Sequence, residues 1–378
     1  MMSEEQLRSF FPFIKTGRIY LNHAATSPLS TYVTANIQKQ MEIRSRGVIE
    51  NYVDTVALVE ETRALVPDML HASPERIAFV QNTSDGINIL ASGIEWNTGD
   101  RILLNDVEFP ANVYPFLNQK KHGVEIDFIH ADNGVISTEQ IINAITPHTR
   151  LLSISWVQFL SGVRCDLKML GDICRERGII FCVDAIQGLG ALQLDLEATP
   201  VDFLSCGAQK WLMSPHGIGF VYLSEEMQAR IQQSNVGWLA VNNAWDFLDY
   251  KLDLLPSAQR YEGGTKNVFG IAGFNGALQL FREFGWERVE ERVLSNTSHL
   301  YKRLSEEGFD VVTPSAETMR AGIVSFAHPR SEEIFLDLKE QNIDVSHRLG
   351  AIRISPHFYN THEEIDIAVN MMLSFLSG

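Results

Sequence analysis

The chain has 378 residues, of which 45% are hydrophobic and 21% charged. At roughly 150 residues per domain this suits two or three units with a buried core, and it excludes a disordered chain. The balance of 31 basic against 47 acidic residues gives a net charge of −16, which repels phosphate backbones and anionic lipid headgroups. Neither nucleic acid nor a membrane is therefore expected as a partner, while small anions remain open to local groups.

A short N-terminal helix before Phe11 is expected to pack with the C-terminal part of the chain. From about residue 76 to 223, short β-rich runs alternate with helical patterns. Strands are expected at Arg76–Val80, Arg101–Asn105, Val124–Ile129, Leu151–Trp156, Ile179–Val183, Val201–Ser205 and Gly217–Leu223. Helices are expected at Thr83–Gly93, Thr138–Ile145 and Leu167–Arg177. The run IIFCV is apolar throughout, as a strand covered on both faces requires. This alternation argues for an α/β unit around a mainly parallel, seven-stranded sheet. After RYEGGTKN (260–267) the pattern changes to long helices at Val268–Phe284 and Trp286–Glu307. Strands near Ile323–Ala327 and Ile352–Ser355 and a helix from Glu363 follow. The expected division is a large unit over 17–259 and a smaller α+β unit over 1–16 and 260–378.

The four cysteines, Cys165, Cys174, Cys182 and Cys206, form no C-x-x-C pair, and three fall within or beside apolar runs. They read as buried thiols in a reducing compartment. The start, MMSEEQLRSFFPF, lacks the basic and apolar segments of a secretory leader. No apolar run approaches the ~20 residues that cross a bilayer. A cytoplasmic protein is expected.

Ligands of parallel sheets bind beyond the carboxyl ends of the strands, and four segments there carry polar residues that need partners. In FVQNTSDGINIL (79–90), Thr83 and Ser84 open a helix whose free N–H groups suit a phosphate, although an N-cap would use the same residue types. In IIFCVDAIQG (179–188), Asp184 ends a buried strand and needs a cation or several donors. A structural salt bridge would also satisfy it, and Gln187 could reach the same ligand. In SCGAQKWLMSPHGIGFVYL (205–223), Lys210 sits among small and apolar residues. That position favours a partly desolvated amine able to form a Schiff base over a solvated surface charge. In IRISPHFYNTHEEID (352–366), Arg353 offers a bidentate fork for a carboxylate, or one half of a salt bridge. A phosphate cradle, a buried acid, an activated lysine and a carboxylate clamp are together what pyridoxal 5'-phosphate (PLP) chemistry requires.

With these motifs in this order, from YLNHAATSP (20–28) to RISPHFYNTHEEID (353–366), the chain resembles the class V aminotransferases. These are PLP-dependent enzymes of fold type I that include cysteine desulfurases and isopenicillin-N-epimerase-like enzymes. The resemblance implies Lys210 as the Schiff-base lysine and proton shuttle, Asp184 as partner of the pyridine nitrogen, and Gln187 as donor to the ring's phenolic oxygen. It implies Thr83 and Ser84 as the phosphate turn and Phe109 of EFPANVYP (108–115) as the ring stacked on the cofactor. Many relatives have a histidine at that last position. Gln209 stands where a phosphate-binding histidine is frequent, and Gly207 where serine is frequent. Thr265 resembles the residue that reaches the neighbouring subunit's phosphate, which implies a homodimer with shared active sites. Arg353 resembles the α-carboxylate clamp, with Asn22, His23 and Gln158 lining the substrate pocket.

Desulfurases take sulfur on a mobile C-terminal cysteine, whereas this chain has no cysteine after Cys206 and only the short segment IDVSHRLGA (343–351) before Arg353. Desulfurase activity is therefore not expected. An aminotransferase acting on amino and keto acids leads, ahead of an amino-acid epimerase and a β-lyase. A nicotinamide oxidoreductase lacks its G-x-G-x-x-G after the first strand, and a metal hydrolase its H-E-x-x-H. A non-catalytic binding protein would be expected to have lost Lys210 or Asp184.

Overall fold

The computed structural model of the chain describes residues 2–378. Seven strands form the central sheet: β1 (Ile77–Val80), β2 (Arg101–Asn105), β3 (Glu125–Ile129), β4 (Thr149–Ser155), β5 (Ile180–Asp184), β6 (Phe203–Gly207) and β7 (Gly219–Leu223). Their order is β1-β7-β6-β5-β4-β2-β3. β7 runs antiparallel to β1 and β6, and the remaining pairs are parallel. The chain steps one way from β2 to β3 and the other way from β4 through β7. That reversal opens a crevice at the carboxyl ends of the middle strands.

β5 shows why its sequence is uniformly apolar. Phe181 and Val183 enter one core, with Leu170 and Cys174 of the helix Leu167–Arg177. Ile180 and Cys182 enter the other, with Ile87 and Leu90 of the helix Thr83–Gly93. A strand with helices on both faces has no solvent side to alternate toward.

The helix Val268–Phe284 belongs to the first of these cores, although it follows residue 260. Its Phe274 stacks on Phe220 of β7 and meets Phe79 of β1 edge-on. Gly276 lets it approach the helix Thr31–Arg46 closely, since a Cβ there would lie 2.5 Å from the Tyr32 carbonyl oxygen. The long helix Trp286–Glu306 then leads to a four-stranded antiparallel sheet. Its strands are β8 (Asp310–Val311), β9 (Val324–Ala327), β10 (Ser346–Arg348) and β11 (Ala351–Ile354), in the order β10-β11-β9-β8. The helices Ser331–Glu340 and His362–Ser377 cover it around Phe326, Ile334, Ile354 and Val369.

β10 and β11 are joined by Leu349 and Gly350, both with positive φ (49° and 80°). Such a two-residue turn matches the strand twist and leaves no room for a longer loop. The N-terminal helix Glu4–Ser9 is tied to the C-terminal segment. Arg8 donates to the Tyr359 carbonyl at 2.8 Å and pairs with Glu364 at 2.7 Å, while Phe11 stacks on Tyr359.

Trp211, directly after Lys210, is fully buried and rests on a glycine: a Cβ at Gly322 would lie 2.1 Å from Trp211 Cη2. Gly322→Ala is therefore expected to destabilise the fold by about 1–3 kcal/mol through overpacking. Urea or thermal unfolding checks this, and an unchanged midpoint contradicts it.

Candidate active site

Asp184 closes β5 and is 1% exposed. Its Oδ1 accepts the Ile186 N–H at 3.0 Å, whereas its Oδ2 is buried with no partner among the described residues. Burial pushes this carboxyl up to about 7, opposed by the Ile186 N–H and by Lys210, and helped by Glu108. A buried carboxylate with one empty oxygen is poised for a donor that the chain does not itself supply.

Lys210 follows β6 in a tight turn. Its carbonyl takes the Ser27 hydroxyl at 2.6 Å and the Met213 N–H at 3.0 Å, while Trp211, Leu212 and Met213 are buried around it. Burial lowers the amine to about 8, with Asp184 pulling it upward and Arg353 pushing it further down. A lysine so displaced holds a far larger neutral, nucleophilic fraction near neutral pH than an ordinary lysine does. Its Nζ lies 5.5 Å from the centre of the Phe109 ring, which meets Phe159 edge-on.

At the start of the helix Thr83–Gly93, the cap is Asn82, whose Oδ1 accepts the Asp85 N–H at 3.0 Å. Thr83 and Ser84 are thereby relieved of capping. Thr83 Oγ1 accepts the Gly207 N–H at 3.0 Å, and its carbonyl takes the Ser205 hydroxyl at 3.0 Å, so the helix start is fastened to β6. Ser84 contributes only its carbonyl, to Asn88, leaving its hydroxyl free. A Cβ at Gly207 would lie 2.7 Å from Gln209 Oε1 and 3.3 Å from Thr83 Oγ1. Two polar oxygens thus face a position without a side chain. Thr265 is exposed and lines a separate cleft with Gln81, Asp85 and Gly217, so one subunit does not bring it to Lys210.

Arg353 is 3% exposed and has no acidic partner among the described residues. Its Nη1 donates to the Phe159 carbonyl at 2.7 Å, Nη2 reaches Ser346 Oγ at 3.5 Å, and Nε is buried without a partner. Burial and the nearby Arg348 lower this guanidinium to about 10. A buried cation with an unused donor calls for an anionic ligand. Asn22 joins this group, its Oδ1 accepting the Ser346 hydroxyl at 2.6 Å.

One expected role needs correction. His23 does not line an open pocket. It is fully buried, with Nδ1 on the Ser355 carbonyl at 2.9 Å and Nε2 on the Tyr359 hydroxyl at 3.0 Å, and burial lowers it to about 3. It is a neutral structural residue beside Trp211 and His357. Gln187 is also 2% exposed and largely committed. Its Nε2 donates to the Ala24 carbonyl at 3.0 Å, and its Oε1 accepts from Trp211 Nε1 at 2.8 Å. One amide hydrogen remains for a ligand.

Glu108 was missed from the sequence. It is 8% exposed and accepts from Asn105 Nδ2, the Ser155 N–H and Oγ, and Gln158 Nε2, at 2.5–2.9 Å. Because this carboxylate only accepts, Gln158 must present its nitrogen to it, which leaves Gln158 Oε1 buried and unpartnered. The available signal was Glu108's position immediately before Phe109.

These residues fit PLP. Asp184 Oδ2 would meet the pyridine N–H, Lys210 would carry the cofactor, and the Ser84 hydroxyl with the helix start would hold the phosphate. When bound, the group supplies a sink for the charge that develops at a substrate's α-carbon.

Residues 19–367 match the family described as Aminotransferase class-V. The chain belongs to this family. Among its class-V relatives, a probable cysteine desulfurase of Methanothermobacter thermautotrophicus is 26% identical, with 97% of this chain and 96% of that protein covered. The uncharacterized aminotransferase YcbU of Bacillus subtilis is 25% identical over 97% of this chain and 96% of that protein. An apo structure of cysteine desulfurase from Thermococcus onnurineus superposes with a TM-score of 0.89 at 25% identity, covering 100% of this chain and 99% of that one. This class-V chain is thus an α/β, PLP-dependent enzyme of fold type I. Its four cysteines are all buried, and burial raises Cys165, Cys174 and Cys182 to about 12 and Cys206 well above its ordinary value.

Lys210 should become covalently linked when PLP is added to the apoprotein. The rate should climb as pH rises through about 8, because the lowered amine loses its proton there. Borohydride trapping at a series of pH values checks this. A midpoint near 10.5, the ordinary lysine value, contradicts it.

Proposed function

We propose that the protein is a PLP-dependent aminotransferase acting at the α-carbon of an amino acid, with a keto acid as the second substrate. The observation that carries this reading is Arg353, a buried arginine without an acidic partner whose field reaches Lys210. Arg353 takes the α-carboxylate, and Lys210 removes and returns the proton at the α-carbon. Asp184 keeps the pyridine nitrogen protonated. Thr83, Ser84 and Gln209 hold the phosphate, Gln187 gives its remaining amide hydrogen to the ring oxygen, and Phe109 stacks on the ring. Asn22 and Gln158 border the substrate, and Thr265 serves the partner's site in a cytoplasmic homodimer.

Proton handling favours transfer over epimerisation. The Phe109 side presents a hydrocarbon ring that carries no proton, and the adjacent residue Glu108 is engaged by four donors. One lysine on one face suits a proton shift better than inversion between two bases. Persulfide transfer is disfavoured because every thiol is buried and raised. The desulfurase names of the relatives support β-elimination from a sulfur-bearing amino acid as the second reading.

The experiment is a single half-reaction with stoichiometric enzyme. Conversion of the cofactor to its amine form with one equivalent of keto acid supports transfer. Release of keto acid and ammonia over many turnovers, with the cofactor unchanged, supports elimination instead. Arg353→Gln should retain the cofactor spectrum yet lower kcat/KM by roughly 10²–10³, the loss of a bidentate charge-assisted pair. A value within a fewfold of wild type would overturn the clamp.

Asp184→Asn should bind cofactor and lose most turnover, since a neutral pyridine is a weak electron sink. Steady-state rates compared with the bound-cofactor spectrum check this, and wild-type turnover refutes it.

A further inference from the structure

The hairpin that carries Arg353 carries a second arginine. β10 and β11 pair Ser346 with Arg353 and Arg348 with Ala351. Alternation along a strand places Ser346 and Arg348 on one face, and the register puts Arg353 and Ala351 on that same face. The contact between Arg353 Nη2 and Ser346 Oγ agrees with this, and Ser346 passes it on to Asn22 at 2.6 Å. The intervening His347 points the other way, to Ser331 on the helix Ser331–Glu340.

Arg348 is exposed, and its guanidinium holds only the carbonyl of His347, at 3.0 Å, with no acid among the described residues. Asp344, earlier on the same segment, is already taken in a two-point pair by Arg18. The positive field of Arg348 reaches both Lys210 and Arg353 and lowers each of them. In a chain of net charge −16, this crevice therefore gathers two arginines and a lysine, and neither arginine has an acidic partner. One α-carboxylate satisfies one of the two.

Resting on the aminotransferase reading above, we propose that the substrate is an amino acid with an acidic side chain. Arg353 binds its α-carboxylate, and Arg348, on the same face of the hairpin, binds its side-chain acid. The tight Leu349-Gly350 turn fixes the backbone spacing of the two arginines, so the chain length between the two acids becomes the specificity determinant.

The test measures binding without turnover. Succinate and glutarate are compared with butyrate and valerate as ligands of the holoenzyme, by titration calorimetry and by the shift of the cofactor band. The dicarboxylates should bind about five- to tenfold more tightly than their monocarboxylate counterparts. Arg348→Gln should collapse that ratio toward one, whereas Arg353→Gln should weaken both ligand types together. The half-reaction panel then compares aspartate, glutamate and cysteine sulfinate with asparagine and glutamine, and the acidic set should lead. Equal affinity for mono- and dicarboxylates, or a ratio that survives Arg348→Gln, overturns the proposal. A holoenzyme that processes neutral amino acids as well as acidic ones defeats only this inference. A holoenzyme whose cofactor responds to no amino acid defeats the aminotransferase reading itself.

Discussion

Everything at this site depends on the desolvation of two opposite charges, Asp184 and Lys210, at the carboxyl edge of one sheet. Each is shifted toward its neutral form by burial, and each is partly restored by the other. They form no direct ion pair, which would have quenched both. One carboxylate oxygen is left empty and one amine is left reactive. The strands make this arrangement possible: β5 and β6 are neighbours, with Asp184 opposite Ser205 in the register. The last residue of β5 and the turn after β6 therefore open into the same crevice.

Much of this was legible in the sequence. The sheet strands appeared within a few residues of their observed ends because most are short apolar runs bounded by turn residues, and β3, EIDFI, alternates apolar with acidic residues. The helices Thr83–Gly93, Leu167–Arg177 and Val268–Phe284 have the expected bounds. The helix Thr31–Arg46 was not foreseen, since Val33 is its single buried residue and no apolar period marks it. The two-residue strands Ile19–Tyr20 and Ile343–Asp344 are too short to carry a pattern and exist only through each other. At the site, the desolvated setting of Lys210, Asp184 and Arg353 was legible because burying a charge is costly and local apolar neighbours reveal it. Hydrogen-bond commitments were not legible: nothing near His23 in sequence announces Ser355 and Tyr359, more than 300 residues away.

The family name and the local chemistry pull in different directions over sulfur. Relatives bear the name of cysteine desulfurase, yet each thiol of this chain sits inside a core and is held protonated by burial. Where a longer cysteine-bearing loop was absent from the sequence, the structure has a two-residue hairpin turn, with an exposed Leu349 at its tip. The same turn fixes Arg348 and Arg353 on one face. The segment that withholds a sulfur acceptor therefore also concentrates positive charge beside the lysine.

The most direct test of the central claim is nitrogen NMR of the holoenzyme carrying PLP labelled at the pyridine nitrogen. The nitrogen is expected to be protonated at neutral pH in the wild type, hydrogen-bonded to the empty oxygen of Asp184, and neutral in Asp184→Asn. An unprotonated nitrogen in the wild type, or the same signal in both proteins, would contradict it.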